Sequence, residues 1–210
     1  MKLKLNRIIS IATLLASLIA LVLVLQKPAP VGHAQTPAAI AEHAESFDQK
    51  MAEFQLATRQ QVNDSSATYE TASLTSKAEA HFNSDEVGAV LAQSTGSSGT
   101  APSPSTDVGS GAPVIKDQQV SFDGDLVRGQ FLTEVAGKDL WITVSGHLGE
   151  KDGYATFDPT EFKVGDLNIP VSLVNPTLQK KLAEQRDRLK LPDNVGNLKV
   201  ENSQLVMQQK

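Results

Sequence analysis

With no cysteine anywhere in its 210 residues, the chain would have to draw any chemistry at neutral pH from four histidines, its acids and its serines. His33, His43, His81 and His147 stand far apart, and no two have the H-x-x-x-H or H-E-x-x-H spacing that sets paired ligands on one helical face. No metal site is read from them. The missing thiols also exclude disulfides, thiolate clusters and cysteine nucleophiles. Ser97 and Ser98, in "TGSSGT", lack the flanks of a nucleophile elbow and read as filler in a Ser/Gly-rich stretch. Asp152, Asp158, Glu161 and Asp166 have neither the alternating ligand order nor the closing glutamate of a calcium loop. They read as turn and surface residues. No glycine cluster forms a dinucleotide fingerprint or ends in the Lys-Ser/Thr of a phosphate loop. The expectation is a protein that is not an enzyme, with no cofactor and no metal.

Charge narrows the partners. The net charge is −5, and four bases, Lys2, Lys4, Arg7 and Lys27, lie in or beside the N-terminal leader, before any acid. Removing those four from 19 leaves 15 bases against 24 acids, a net −9. Such a surface repels phosphate backbones, so no nucleic acid is expected. The leader itself pairs a basic start, "MKLKLNR", with an uncharged run from Ile8 to Leu25. At about 1.5 Å per residue this run reaches roughly 27 Å, near the lower limit for crossing a bilayer. Two readings stay open: a retained single-pass anchor, or a signal cleaved near Ala34 in "VGHAQT". In the anchored reading the bases preceding the span place the N-terminus in the cytoplasm and the rest of the chain outside the cell membrane; cleavage would give a secreted or periplasmic protein.

The elements that follow are well patterned. Residues 1–35 read as signal or anchor and spacer, 36–93 as a helical segment, 94–113 as a flexible Ser/Gly/Pro linker, and 114–210 as a sheet-plus-helix domain. Ile40, Phe47 and Phe54 recur every seven residues with Ala44 and Met51 between them, one apolar stripe on a helix over about 36–62. That stripe either packs on its own domain or forms a short coiled coil between chains. Ser84 followed by Asp85 and Glu86 reads as a second helix start. Past the linker the period changes to two, with strands expected at about 114–123, 126–135, 138–148 and 154–164 separated by "DGD", "AGKD" and "EKDG". Asn175 and Pro176 then read as the cap and first turn of a helix running to about Lys190, and "LKVENSQLVM" as one last strand. The fold class is α+β: a bent antiparallel β-meander with a C-terminal helix packed on its apolar face, preceded by an N-terminal helical segment. His147 falls with Trp141, Thr143 and Ser145 on the opposite face, expected to be solvated or to contact a partner.

From Ser84 onward the ordered strings "SDEVGAVL", "VSFDGDLVRGQF", "WITVSGHLGEKDGYATFDPTEFKVGDLNIP" and "LKVENSQLVM" resemble bacterial membrane-anchored envelope proteins of the tubular lipid-binding, BPI-like type. That resemblance implies a long bent sheet wrapped on a helix, with an apolar groove between them for acyl chains. The chain departs from that pattern in its long linker and its helix-rich N-terminal piece. On this reading Phe131, Ile142, Val144, Phe157, Phe162, Leu178 and Leu182 form the groove, and Ile8 to Leu25 anchors the chain. The expected function is a membrane-anchored extracytoplasmic module binding a lipid or other hydrophobic ligand. The alternative is a structural adaptor with a filled core that binds another envelope protein.

Overall fold

The computed structural model describes Thr13 and residues 16–64, 77–95, 115–135 and 137–210. Most of the leader before Ser17, the segment 65–76, nearly all of the expected linker and both Ser97 and Ser98 lie outside the described residues. Helix α1 (Pro37–Asp64) is followed by strand β1 (Glu79–Phe82) and helix α2 (Ser84–Thr95). Strands β2 (Ile115–Asp123), β3 (Leu126–Val135), β4 (Lys138–Lys151), β5 (Tyr154–Val164) and β6 (Leu167–Ile169) form one antiparallel sheet in chain order. Helix α3 (Val171–Glu184) and a 3-10 turn (Arg186–Leu189) lead to β7 (Val195–Glu201) and β8 (Gln204–Gln209). These last two pair with β1 in a second sheet, ordered β1-β8-β7. The fold is α+β, as the periodicities require, with α3 resting against β5.

The core lies where α1, the small sheet and one end of the large sheet meet. Phe54, Phe82, Val195, Leu198, Val200, Leu205 and Met207 are buried there, and Phe122, Val127, Leu148 and Ala155 of the large sheet pack onto them. Phe82 has no exposed surface and its ring sits 4.3 Å from that of Phe47. The heptad stripe of α1 is therefore spent inside the chain: Ala44 and Phe54 are buried, and Ile40, Phe47 and Met51 half-buried. Residues on both sides of the Ser/Gly/Pro stretch thus contribute to one core.

A carboxylate fixes α1 against α2. Asn83, not Ser84, caps α2: its Oδ1 accepts from the Glu86 amide at 2.8 Å, while the Asn83 amide donates back to Glu86 Oε2 at 2.9 Å. This reciprocal box satisfies two otherwise orphan donors. The other bonds to Glu86 come from α1, with Ser46 Oγ at 2.6 Å and Lys50 Nζ at 2.7 Å. Glu86 is only 2% exposed. Burial pushes its carboxyl up, but the hydrogen bonds from Lys50, Ser46 and the Asn83 amide, with the charge of Lys50, outweigh that and hold it below its ordinary value.

Three local expectations are corrected. Helix α3 begins at Val171, directly after Pro170, so Pro176 lies inside the helix and Asn175 is a helical residue whose Oδ1 accepts from Gln179 Nε2 at 3.1 Å. Pro170 already supplies the fixed φ that starts the helix, and the helix ends at Glu184 before the 3-10 turn. The final strand is a hairpin, because Asn202 and Ser203 both adopt positive φ (52° and 59°) in a two-residue turn between β7 and β8. Lastly, the expected fourth strand is followed by a short return strand, β6, which pairs with β5 across Gly165 and Asp166.

Because the folded carboxyl of Glu86 is depressed, its stabilisation is present above the ordinary glutamate range, about 4.3, and is lost as pH falls through the folded value. Urea unfolding followed by circular dichroism should show stability falling on acidification below about pH 4. Glu86→Gln should cost about 1–3 kcal/mol at neutral pH and flatten that dependence, since it leaves Lys50 without its charge partner.

Candidate functional site: an apolar sheet face left half open

Antiparallel partners share a face, so register alone assembles the expected groove. Phe131 pairs with Ile142, Ile142 with Val164, Val144 with Phe162, and Leu148 with Phe157. Phe157 and Phe162 are five apart, an odd step that alternation would put on opposite faces. A bulge between Ser145 and Gly146 in the β4–β5 pairing absorbs the extra residue and keeps both rings on one side. The structure thus brings Phe131, Ile142, Val144, Phe157 and Phe162 together on the apolar face. Leu178 and Leu182 lie on α3 beside it, with α3 tied to β5 through Gln179 Nε2 donating to the Phe157 carbonyl at 3.1 Å.

All seven are half-buried rather than buried. Core elements pack on the end of the face carrying Phe122, Val127 and Leu148, and Val120, paired with Gly129, is buried as well. Towards the other end, Phe131, Ile142, Val144, Phe162, Val164 and Ile169 keep accessible surface, α3 contributes no buried residue, and Leu173 in its first turn is 72% exposed. Residues that spacing had not singled out shape the same face. A Cβ on Gly129 would lie 2.9 Å from the Phe131 ring, and one on Gly146 would lie 2.7 Å from the Phe157 ring and collide with the Asp158 carbonyl. The two glycines vacate room that the two rings occupy. The signal in the sequence is the V-x-G-x-F run at 127–131, where glycine replaces an inward apolar side chain.

The opposite face overturns its expectation. Thr143 and Ser145 are buried and Trp141 is half-buried; only His147 is exposed, 3.4 Å from Asp125. Gln130, buried at 2% exposure, donates to the carbonyl of Ala29 at 3.1 Å and to Thr143 Oγ1 at 3.2 Å. What covers this face is the chain leaving the leader: Pro28, Ala29, Pro30 and Val31 roof a polar cavity of about 370 Å³ over Arg128, Gln130, Thr143, Ser145, Glu161 and Lys163. Glu161 is neutralised there by Lys163 at 2.7 Å, with Ser145 Oγ at 3.5 Å. Hydroxyls, an amide and opposed charges can hold water or a small polar group, and the base that faces Ser145 is the Glu161 carboxylate, itself paired with Lys163. Asp152, Asp158 and Asp166 are exposed, and the Asp166 backbone amide donates to the Leu23 carbonyl. Among the described residues no cluster of three or more histidines and acids is placed to hold a metal ion.

Substitutions should separate the two glycines. Gly146→Ala meets backbone and should destabilise by about 1–3 kcal/mol, whereas Gly129→Ala meets only a ring tip that can swing and should cost less. Leu182→Ala, at a half-buried position, should fall below the roughly 2–5 kcal/mol of a fully buried leucine. Urea midpoints of the three variants check the order. Compared with known proteins, the chain matches no family model, no curated protein and no solved structure.

Proposed function

We propose that this is a non-enzymatic, extracytoplasmic protein anchored to the membrane by its leader, and that the half-open sheet face between β3, β4, β5 and α3 takes an acyl chain. The observation that carries this reading is the exposure of that face. A five-stranded sheet with a contiguous apolar side normally covers it, because each buried CH₂ is worth about 0.8 kcal/mol. Here the core packs on one end, and towards the other the apolar residues stay half-buried, flanked by a helix with no buried residue. The Phe131 and Phe157 rings lie over Gly129 and Gly146, where a side chain would displace them. A chain of moderate length gains enough from burial to offset its ordering cost. The resemblance of the strand and turn strings to tubular lipid-binding proteins points the same way.

The test is native mass spectrometry, with lipid extraction, of the full chain purified in mild detergent from envelope membranes. Reproducible co-purified lipid is expected, and Phe162→Asp should abolish it in a variant that keeps its circular dichroism spectrum. A chain that carries no lipid and instead captures one envelope protein through the same face would replace this reading with that of an adaptor.

A further inference from the structure

The end of the leader is built into the sheet. Residues 16–25 are helical, and the Asp166 amide donates to the carbonyl of Leu23 at 2.9 Å, satisfying one of the acceptors that a helix C-terminus leaves unpaired. Gly165, at φ 58°, makes this approach possible, because a Cβ there would collide with the Leu23 carbonyl. Its amide donates to the Trp141 carbonyl at 2.7 Å, and the Lys27 ammonium stands 5.4 Å from the centre of the Trp141 ring. Pro28 is buried, and Gln130 holds Ala29. Meanwhile Leu18, Ile19, Leu21, Val22 and Leu25 of the leader helix are each about half exposed among the described residues.

The leader meets the sheet at the β5–β6 turn, the end at which the apolar face is open. We infer that this docked leader seats the β5–β6 end of the large sheet on the lipid bilayer, so that the open face lies at the membrane surface with Trp141 and Lys27 at the head-group level. A tryptophan beside a lysine, at the point where an apolar helix ends, fits that interface. The inference rests on the proposed reading of the leader as an anchor, but not on acyl binding. Among the described residues no helix is long and apolar enough to cross a membrane; Ile8 to Ala12, with Leu14 and Leu15, lie outside them.

Trp141 is the sole tryptophan, which makes the seat directly readable. The full chain is reconstituted into phosphatidylcholine vesicles containing lipid brominated either near the head group or near the chain end, and its fluorescence is compared with quenching by aqueous iodide. The expected result is loss of intensity with the shallow bromine, less with the deep one and little with iodide, from a chain whose intact mass includes residues 1–34. Gly165→Ala should free the leader's end, so that bromine quenching is lost and iodide quenching gained while the chain still floats with the vesicles. Should that variant fail to fold, Gln130→Ala, which removes the hold on Ala29, is expected to shift quenching in the same direction. Iodide quenching of the wild type without bromine quenching overturns the seat, as does a mature mass lacking residues 1–34 or quenching unmoved by both substitutions. Quenched Trp141 in a chain that carries no lipid by mass spectrometry supports the seat while overturning the acyl reading.

Discussion

Phe82, wholly enclosed and packed at a tilt against the Phe47 ring, is the contact on which the arrangement of the core turns. It sits at the edge of the small sheet, beside Phe54 of α1 and against Val195, Leu198 and Val200 of β7. Through β7 that cluster reaches β4 of the large sheet. Aromatics are only 5% of the chain, and four of its seven phenylalanines, Phe47, Phe54, Phe82 and Phe122, gather at this seam. A core so concentrated has a limited reach. It packs on the Phe122, Val127 and Leu148 end of the large sheet, while Phe131 and Phe162 towards the other end are not part of it.

The two faces of that sheet are closed by opposite means. On the apolar side the helix that could shield the face is weakly committed, since Pro176 inside it forfeits a backbone hydrogen bond and none of its side chains is buried. On the polar side a short stretch of backbone, Pro28 to Gly32, does what a packed element would otherwise do. It satisfies buried Gln130 through the Ala29 carbonyl and takes the side-chain oxygen of Gln119 on the Gly32 amide at 3.3 Å. Prolines at 28 and 30 suit such a segment, which lies extended and offers carbonyls more than amides. Buried polar groups are costly unless paired, so detaching this stretch would leave Gln130 short of a partner.

Much of this architecture was legible in the sequence because periodicity reports one-sided burial. The heptad stripe of α1 and the alternation in β2 to β5 each stated which side chains turn inward, and the strand boundaries follow from turn residues between them. What periodicity could not state was how completely each face is covered. Thr143 and Ser145 read as solvated because they are polar and opposite the apolar side, yet they are buried by the leader, more than one hundred residues away along the chain. The Asn83–Glu86 box was hidden for a local reason: Ser84 is itself a good cap, and only the reciprocal bond from Glu86 selects the residue before it. Pro176 misled because a proline suits a first helical turn, while Pro170 had already begun the helix.

The candidate groove was readable as a set of residues but not as a groove. Register follows from alternation and places Phe131, Ile142, Val144 and Phe162 on one face, but a filled core and an open face have the same pattern. The distinction rests on accessibility, and accessibility depends on a helix whose attachment is slight. Gln179 holding the Phe157 carbonyl and Arg186, in the 3-10 turn after the helix, 4.0 Å over the Tyr154 ring attach it near the start of β5. Both are surface contacts, each worth far less than a buried leucine. The packing around Phe82 does not draw on α3, none of whose side chains is buried or belongs to that cluster.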